Sequence, residues 1–322
     1  MQASDYTIPD DSGILEQVRD GAAPSKSSAA RAVFTVANRV IFSIAHVMTS
    51  PADFTNSRAP GTSRRLIVFV ILILAVVLLL GDALFIEPFW IEVTHYEVTA
   101  PVGTPLKIAQ LSDLHTRGLG RRERRMLAVL EEEKPDLIVV TGDTLADPRG
   151  NYDRCREVYQ QLHAPLGVWV VRGNWENQQP VKHERLFYET SGVHFLLNSS
   201  AQVRSGVWLV GLDDSSSGTP HLEAALTGIP QGVYTIALFH APAYFDHIAG
   251  RVNLCLAGHT HGGQVRLPFL YPFWLPKGSG GFLEGWYDLR GSKMYVSRGL
   301  GTSVIPVRFG SRPEITFVTL KP

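Results

Sequence analysis

Residues 66–80 read LIVFVILILAVVLLL, an unbroken apolar run, and apolar text resumes after Gly81 and Asp82 with Ala83, Leu84, Phe85 and Ile86. A helix of about 21 such residues, rising ~1.5 Å per residue, spans the ~30 Å hydrocarbon core of a bilayer. A soluble helix keeps a polar stripe for water, and this stretch has none. The run therefore predicts a single transmembrane anchor over 66–86, with the C-terminal remainder of the chain folding as a separate body. Arg58, Arg64 and Arg65 precede it, and no Lys or Arg follows before Lys107. By the positive-inside bias the N-terminus is cytoplasmic and the large C-terminal part extracytoplasmic. Phe89 and Trp90 suit an interfacial aromatic belt.

Ahead of the anchor, residues 1–30 are rich in Asp, Ser, Gly and Ala and are expected to form a disordered tail. Over 31–49, Val33, Ala37, Val40, Ile41, Ile44, Ala45 and Met48 share one helical face, which predicts an amphipathic helix. It packs on the globular domain or lies on the bilayer surface. Formal net charge is zero, so nothing in the bulk composition points to nucleic acid as a partner. The only two cysteines, Cys155 and Cys255, cannot make a disulfide framework, and Cys255 sits inside an apolar run.

Residues 93–322 alternate short strands with helices and then turn strand-rich, which indicates an α/β or α+β class. Lys107–Leu111, Asp136–Thr141, Gly167–Arg172, Val233–Phe239 and Val252–Ala257 all read as strands, most of them apolar enough for burial on both faces. Arg121–Lys134 and Tyr152–His163 read as helices. Asp113, His115, Asp143, Asn174, His240, His259 and His261 each follow one of those strands directly. In such folds the carboxyl ends of parallel strands share an edge where ligands bind. Polar residues commonly mark strand ends, but that does not explain four of the eleven histidines falling there.

These seven O and N donors exceed what one tetrahedral zinc takes. They suit two divalent ions about 3.5–4 Å apart, an arrangement that clamps the oxygens of an in-line displacement at phosphorus and acidifies a bridging water to the nucleophile. With no thiolate among them, Mn, Fe and Zn all fit.

The blocks Asp-Leu-His (113–115), Gly-Asp (142–143), Gly-Asn-Trp-Glu (173–176), His240 in Leu-Phe-His-Ala-Pro, and Gly-His-Thr-His (258–261) resemble the calcineurin-like metallophosphoesterases. The resemblance runs from about Lys107 to the end. The segments 295–303, 306–309 and 312–315 are similar to a membrane-associated bacterial branch that includes phosphodiesterases and a UDP-2,3-diacylglucosamine hydrolase of lipid A synthesis. It implies a four-layer α/β/β/α sandwich of two mixed sheets. It also implies one ion on Asp113, His115, Asp143 and His261 and a second on Asp143, Asn174, His240 and His259, with Asp143 bridging and with Asp143, His115 and Asn174 serving catalysis.

The chain departs from the family at Trp175, where a His that stabilises the transition state or protonates the leaving group is usual. Indole donates one N–H but has no usable proton to give up, so substrates with good leaving groups, such as pyrophosphates, are favoured, unless the family's His is simply dispensable. Arg117, Arg298, Arg308 and Arg312 are candidates for bidentate phosphate contact, against solvated or ion-paired structural roles. The aromatic stretch 269–274, with Phe282 and Trp286, fits core packing or a rim for acyl chains and headgroups. The expectation is a membrane-anchored phosphohydrolase acting on a phosphorylated, lipid-linked or cell-envelope substrate. The UDP-lipid pyrophosphatase, which requires a cytoplasmic domain, and a membrane protein that binds a phospho-ligand without turnover are the alternatives.

Overall fold

In the computed structural model, which describes residues 60–146, 151–267 and 269–322, the apolar runs become the inner strands of two six-stranded mixed sheets. The tail 1–30 and the amphipathic helix 31–49 lie outside the described residues. Along the chain come β1 (Glu92–Thr99), β2 (Leu106–Leu111), β3 (Leu137–Thr141), β4 (Val168–Val171) and β5 (His194–Phe195). They are followed by β6 (Ser199–Arg204), β7 (Val207–Gly211), β8 (Tyr234–Leu238), β9 (Leu254–Ala257), β10 (Gly285–Leu289), β11 (Ser292–Val296) and β12 (Glu314–Lys321). The helices are α1 (Pro60–Gly81), α2 (Arg121–Glu133), α3 (Tyr152–Tyr159), α4 (Asn174–Gln178), α5 (Glu184–Thr190), α6 (Leu222–Leu226) and α7 (Phe245–Ile248).

One sheet has the order β1-β12-β2-β3-β4-β5 and the other β10-β11-β9-β8-β7-β6. In the first, β2, β3, β4 and β5 run parallel and β12 is antiparallel to β2. In the second, β7, β8, β9 and β11 are parallel, with β6 and β10 antiparallel at the edges. Period two along each strand sorts side chains to opposite faces. Leu106 and Ile108 face the other sheet and pack with Leu209, Ile236, Leu254 and Leu256, while Ala109 and Leu111 face helices α2 and α3 through Met126, Val129 and Val158. On the far side, α6 and α7 cover the second sheet through Ala225, Phe245 and Ile248. The layers are therefore α/β/β/α, as expected. Cys155 and Cys255 are buried free thiols.

Helix α1 leaves its apolar side chains uncovered; Leu78 is 72% exposed. From Leu66 to Phe89 the helical segment is long and apolar enough to cross a membrane. Its lower end, a wider π-type turn over Asp82–Ile86 and a 3-10 turn over Glu87–Phe89, is fastened to the domain. The Arg308 amide donates to Ala83 O at 3.0 Å, and the buried Glu87 carboxylate accepts from the amides of Gly310 (3.0 Å) and Ser311 (2.6 Å). Arg312 stacks on the Trp90 ring, 4.1 Å from its centroid, and Arg121 lies over Phe89.

Candidate metal centre

Parallel strands bring the carboxyl ends of β2, β3 and β4 to one edge, and those of β8 and β9 to the matching edge of the other sheet. The two edges are stitched together: Gln110 Nε2 donates to Ala257 O at 2.8 Å, and the His259 amide donates to Asp113 Oδ2 at 2.9 Å. Gly258 permits this approach, because a Cβ there would collide with Ser112 and Asp113. The chain leaves the strands through strained turns. Asp113, His115, Asp143, His259 and His261 all have positive φ, between 41° and 74°. Side-chain-bearing residues adopt this region at a cost of roughly 1 kcal/mol or more each, and such strain gathers at functional sites.

All seven strand-end residues converge. Asp113, His115 and His261 form one buried group and Asp143, His240 and His259 another, each with its ligand atoms mutually close enough to share an ion. His115 Nε2 and His261 Nε2 are 3.2 Å apart, and His261 Nε2 is 3.3 Å from Asp113 Oδ1. In the second group His240 Nε2 lies 3.0 Å from His259 Nδ1, 3.2 Å from Asp143 Oδ2 and 3.2 Å from Asn174 Oδ1. Asp143 Oδ2 is also 3.7 Å from His115 Nε2, so one carboxylate oxygen faces both groups.

The outward-facing nitrogens are tied down. His115 Nδ1 meets Leu145 O, His240 Nδ1 meets Thr141 O and His259 Nε2 meets Lys277 O, each at 2.8 Å. A ring N–H donating to each carbonyl leaves the opposite nitrogen as a bare lone pair pointing inward. Lone pairs and carboxylates thus face one another at about 3 Å, and Asp113 Oδ1 is buried without any hydrogen-bond partner. Such a nest of acceptors is repulsive unless a cation occupies it, so the donor set fits divalent metals.

The electrostatics separate the histidines: burial holds His259 and His261 neutral, whereas His240 keeps its proton until a metal would displace it. Burial alone would raise Asp113, but His261, His240 and His115 hold it well below the usual carboxylate range. Burial pushes Asp143 up to about 7, with His240 opposing and Glu176 and Asp113 assisting. His240 is driven well above its ordinary value, against burial, by Asp143 and Asp113. Burial takes His259 down to about 4, with His240 adding to it. Burial also takes His261 down to about 3, against the pull of Asp113 and with Arg308 assisting.

The expected substrate contacts fare differently. Trp175 sits half-buried at the start of α4, its ring edge-on to His115 at 5.1 Å and its amide donating to Asp143 Oδ1 at 2.9 Å. Arg117 is exposed two residues beyond His115, and among the described residues no acceptor engages its guanidinium. Arg298 is instead paired with Glu92 (3.1 Å) and Glu314 (3.2 Å). Arg308 corrects the expectation outright. Its guanidinium is wholly buried and donates to the carbonyls of Arg298, Gly299, Gly301 and Ser311, with Nη2 3.5 Å from His261 Nδ1. It braces the loops around His261 and has no open face for a phosphate.

Glu176 was not foreseen as part of the site. Buried at the third position of α4, its carboxylate accepts from the amides of Asp143 (2.9 Å), Thr144 (2.8 Å), Leu145 (2.9 Å) and Gly173 (2.8 Å). The signal was present: Glu three residues after a helix-opening Gly is half of a capping box.

Residues 106–263 match the calcineurin-like phosphoesterase family. An uncharacterized metallophosphoesterase, YkuE, of Bacillus subtilis is 34% identical over 256 residues, covering 75% of this chain and 89% of that protein. A phosphodiesterase of Escherichia coli, YaeI, is 27% identical over 252 residues, covering 73% and 90%. A Bos taurus transmembrane protein with a metallophosphoesterase domain is 31% identical over 286 residues, covering 80% of this chain and 62% of that protein. With two buried donor groups meeting at one aspartate in a four-layer sandwich, and relatives of this similarity along most of its length, the chain belongs to the calcineurin-like phosphoesterases, two-metal phosphoester hydrolases.

Proposed function

We propose that the protein is a membrane-anchored hydrolase that opens a phosphodiester or pyrophosphate bond in a lipid-linked or cell-envelope substrate, with its catalytic domain outside the cytoplasmic membrane. The observation that carries the chemistry is Asp143 Oδ2, within 3.7 Å of histidines from both donor groups. In this reading Asp113, His115, Asp143 and His261 hold one ion, and Asp143, Asn174, His240 and His259 hold the other. When bound, such a pair supplies Lewis acidity to the phosphoryl oxygens and lowers the pKa of water. The chain's own residues do the rest. The carbonyls of Leu145, Thr141 and Lys277 fix the histidine tautomers, and burial keeps His259 and His261 unprotonated for metal, while Asp143 and His240 would release their protons as it binds. Arg117, exposed beside His115, orients the phosphate as it arrives. Trp175 offers no proton to the departing oxygen, which favours leaving groups that are stable as anions.

The apolar, uncovered helix supports anchoring, as does the relation to a bovine protein described as transmembrane. The E. coli relative's description as a phosphodiesterase supports the bond type. The Arg58, Arg64 and Arg65 flank supports the orientation. Trp175 favours one second reading, a pyrophosphatase of UDP-2,3-diacylglucosamine, whose substrate is cytoplasmic. Fusions at Pro322 separate the two. Alkaline phosphatase activity in the fusion supports the envelope substrate; fluorescence of a cytoplasm-folding reporter without phosphatase activity supports the UDP-lipid. Manganese-dependent release of phosphate products by the full-length protein, from lipid phosphodiesters in vesicles, tests the reaction itself.

A further inference from the structure

The loop after His261 carries a group of large side chains left uncovered among the described residues. Tyr271 and Trp274 are exposed, Phe273 is 78% exposed, and Phe269 is fully exposed. Phe269 also has φ of 65°, a strained conformation that no packing contact of its ring accounts for. Soluble surfaces scatter single hydrophobics but rarely gather several aromatics in six residues.

The loop's position suggests its occupant. Its first part is paired to the segment that grips the helix end: Val265 bridges Phe309, and the Arg266 amide donates to Phe309 O at 2.7 Å. The neighbours of Phe309 are the residues whose amides bind Ala83 and Glu87 at the foot of the apolar helix. There Phe85 and Trp90 are themselves exposed. Helix foot and aromatic loop are therefore neighbours across one two-residue-wide pairing, and each exposes large apolar side chains. The chain that follows returns to the metal centre: Pro272 packs against Gly263, two residues after His261, and Lys277 O meets His259 Nε2 at 2.8 Å.

We propose that residues 269–274 are a second membrane contact, inserted beside the helix foot, which holds the mouth of the metal centre at the headgroup layer. This rests on the anchoring reading above and extends it. Aromatic side chains with nearby Pro and Gly suit the bilayer interface, and the helix already fixes that plane at Phe85–Trp90. A phosphoryl group at headgroup depth would then reach the centre without the lipid leaving the membrane.

Single cysteines placed at Phe273, Leu78 and Glu223 of the full-length protein, labelled with an environment-sensitive fluorophore in phosphatidylethanolamine/phosphatidylglycerol vesicles, test this. The native thiols are buried and do not compete for label. The label at Phe273 should shift to the blue and be quenched by lipids carrying a nitroxide near the headgroup. The label at Glu223 should do neither. Quenching at Leu78 by lipids carrying a nitroxide deep in the acyl chain, with no headgroup quenching at Phe273, overturns the second contact and leaves the anchor standing; quenching at neither overturns both. A blue shift at Phe273 without lipid quenching means a protein partner, and also overturns the proposal. In parallel, Phe269→Ser, Phe273→Ser and Trp274→Ser combined should lower kcat/KM for a vesicle-borne phosphodiester about tenfold, while turnover of soluble bis-p-nitrophenyl phosphate stays unchanged. An equal effect on both substrates, or on neither, contradicts it.

Discussion

Glu176 Oε2 accepts the Asp143 backbone amide at 2.9 Å, and through that bond a helix-opening carboxylate holds the aspartate that faces both donor groups. The Asp143 backbone is in the left-handed region, with φ of 52°, where a side-chain-bearing residue stays only if its surroundings hold it. Three successive amides, those of Asp143, Thr144 and Leu145, converge on Glu176, and Leu145 O in turn orients His115. One carboxylate thus positions members of both groups without touching an ion.

Replacing it with the isosteric amide should expose that role. Glu176→Gln turns one acceptor oxygen into a donor facing buried amides, leaving about two of them unsatisfied at roughly 1–3 kcal/mol each. Denaturant unfolding should show a loss of about 2–6 kcal/mol, and manganese titration a weaker affinity. An affinity equal to wild type in a destabilised protein would confine Glu176 to a structural role.

Trp175 predicts a leaving-group preference. The wild-type enzyme should favour aryl phosphodiesters and pyrophosphates over alkyl phosphodiesters. Trp175→His, which restores a proton donor beside His115, should improve alkyl substrates by about 10- to 100-fold and aryl ones far less. Equal gains on both classes would show that this position does not govern departure of the leaving group.

The buried histidines predict how metal-free stability follows pH. His259 and His261 are depressed to about 4 and about 3, so they remain neutral in the folded state while the unfolded chain takes up both protons below 6.5. Their contribution is present above pH 6.5 and lost as pH falls towards 4. Asp143, raised to about 7, works the other way by keeping one proton in the folded state that the unfolded chain has released. His240, raised, is protonated in both states below 6.5 and cancels there. Two protons against one leave a net slope of about 1.4 kcal/mol per pH unit between pH 4 and 6.5, with stability rising with pH. Above 6.5 the raised His240 and Asp143 reverse the sign. Thermal midpoints of the chelator-treated protein should peak near pH 6.5 and fall on both sides, and a monotonic profile would contradict this electrostatic picture.

The sequence disclosed those parts of the fold that are buried on both sides. Strands β2, β3, β7, β8 and β9 are unbroken or nearly unbroken apolar text because sheet and helix cover them from opposite faces. Strands β1, β6 and β10 are less legible: each is a sheet edge with polar residues such as Thr94, Gln202 and Asp288, β1 pairs only with the distant β12, and the β6 pairing is broken by a register shift at Gln202/Arg204. The positions of the seven donors were legible because strand polarity alone sends them to one edge. The arginines were not, since charge identity cannot tell a phosphate contact from a brace. Arg308 meets carbonyls from two separate turns, and only the folded chain shows them closing around it.

The most direct test of the account is the metal content of Asp143→Ala. If Asp143 bridges the donor groups, elemental analysis should find about two ions per wild-type chain and fewer than one in the variant, with bis-p-nitrophenyl phosphate hydrolysis falling by about 10³-fold or more. His240→Ala should lose mainly one ion. Two ions still bound per chain in Asp143→Ala would contradict the bridging carboxylate, and with it the centre proposed for this site.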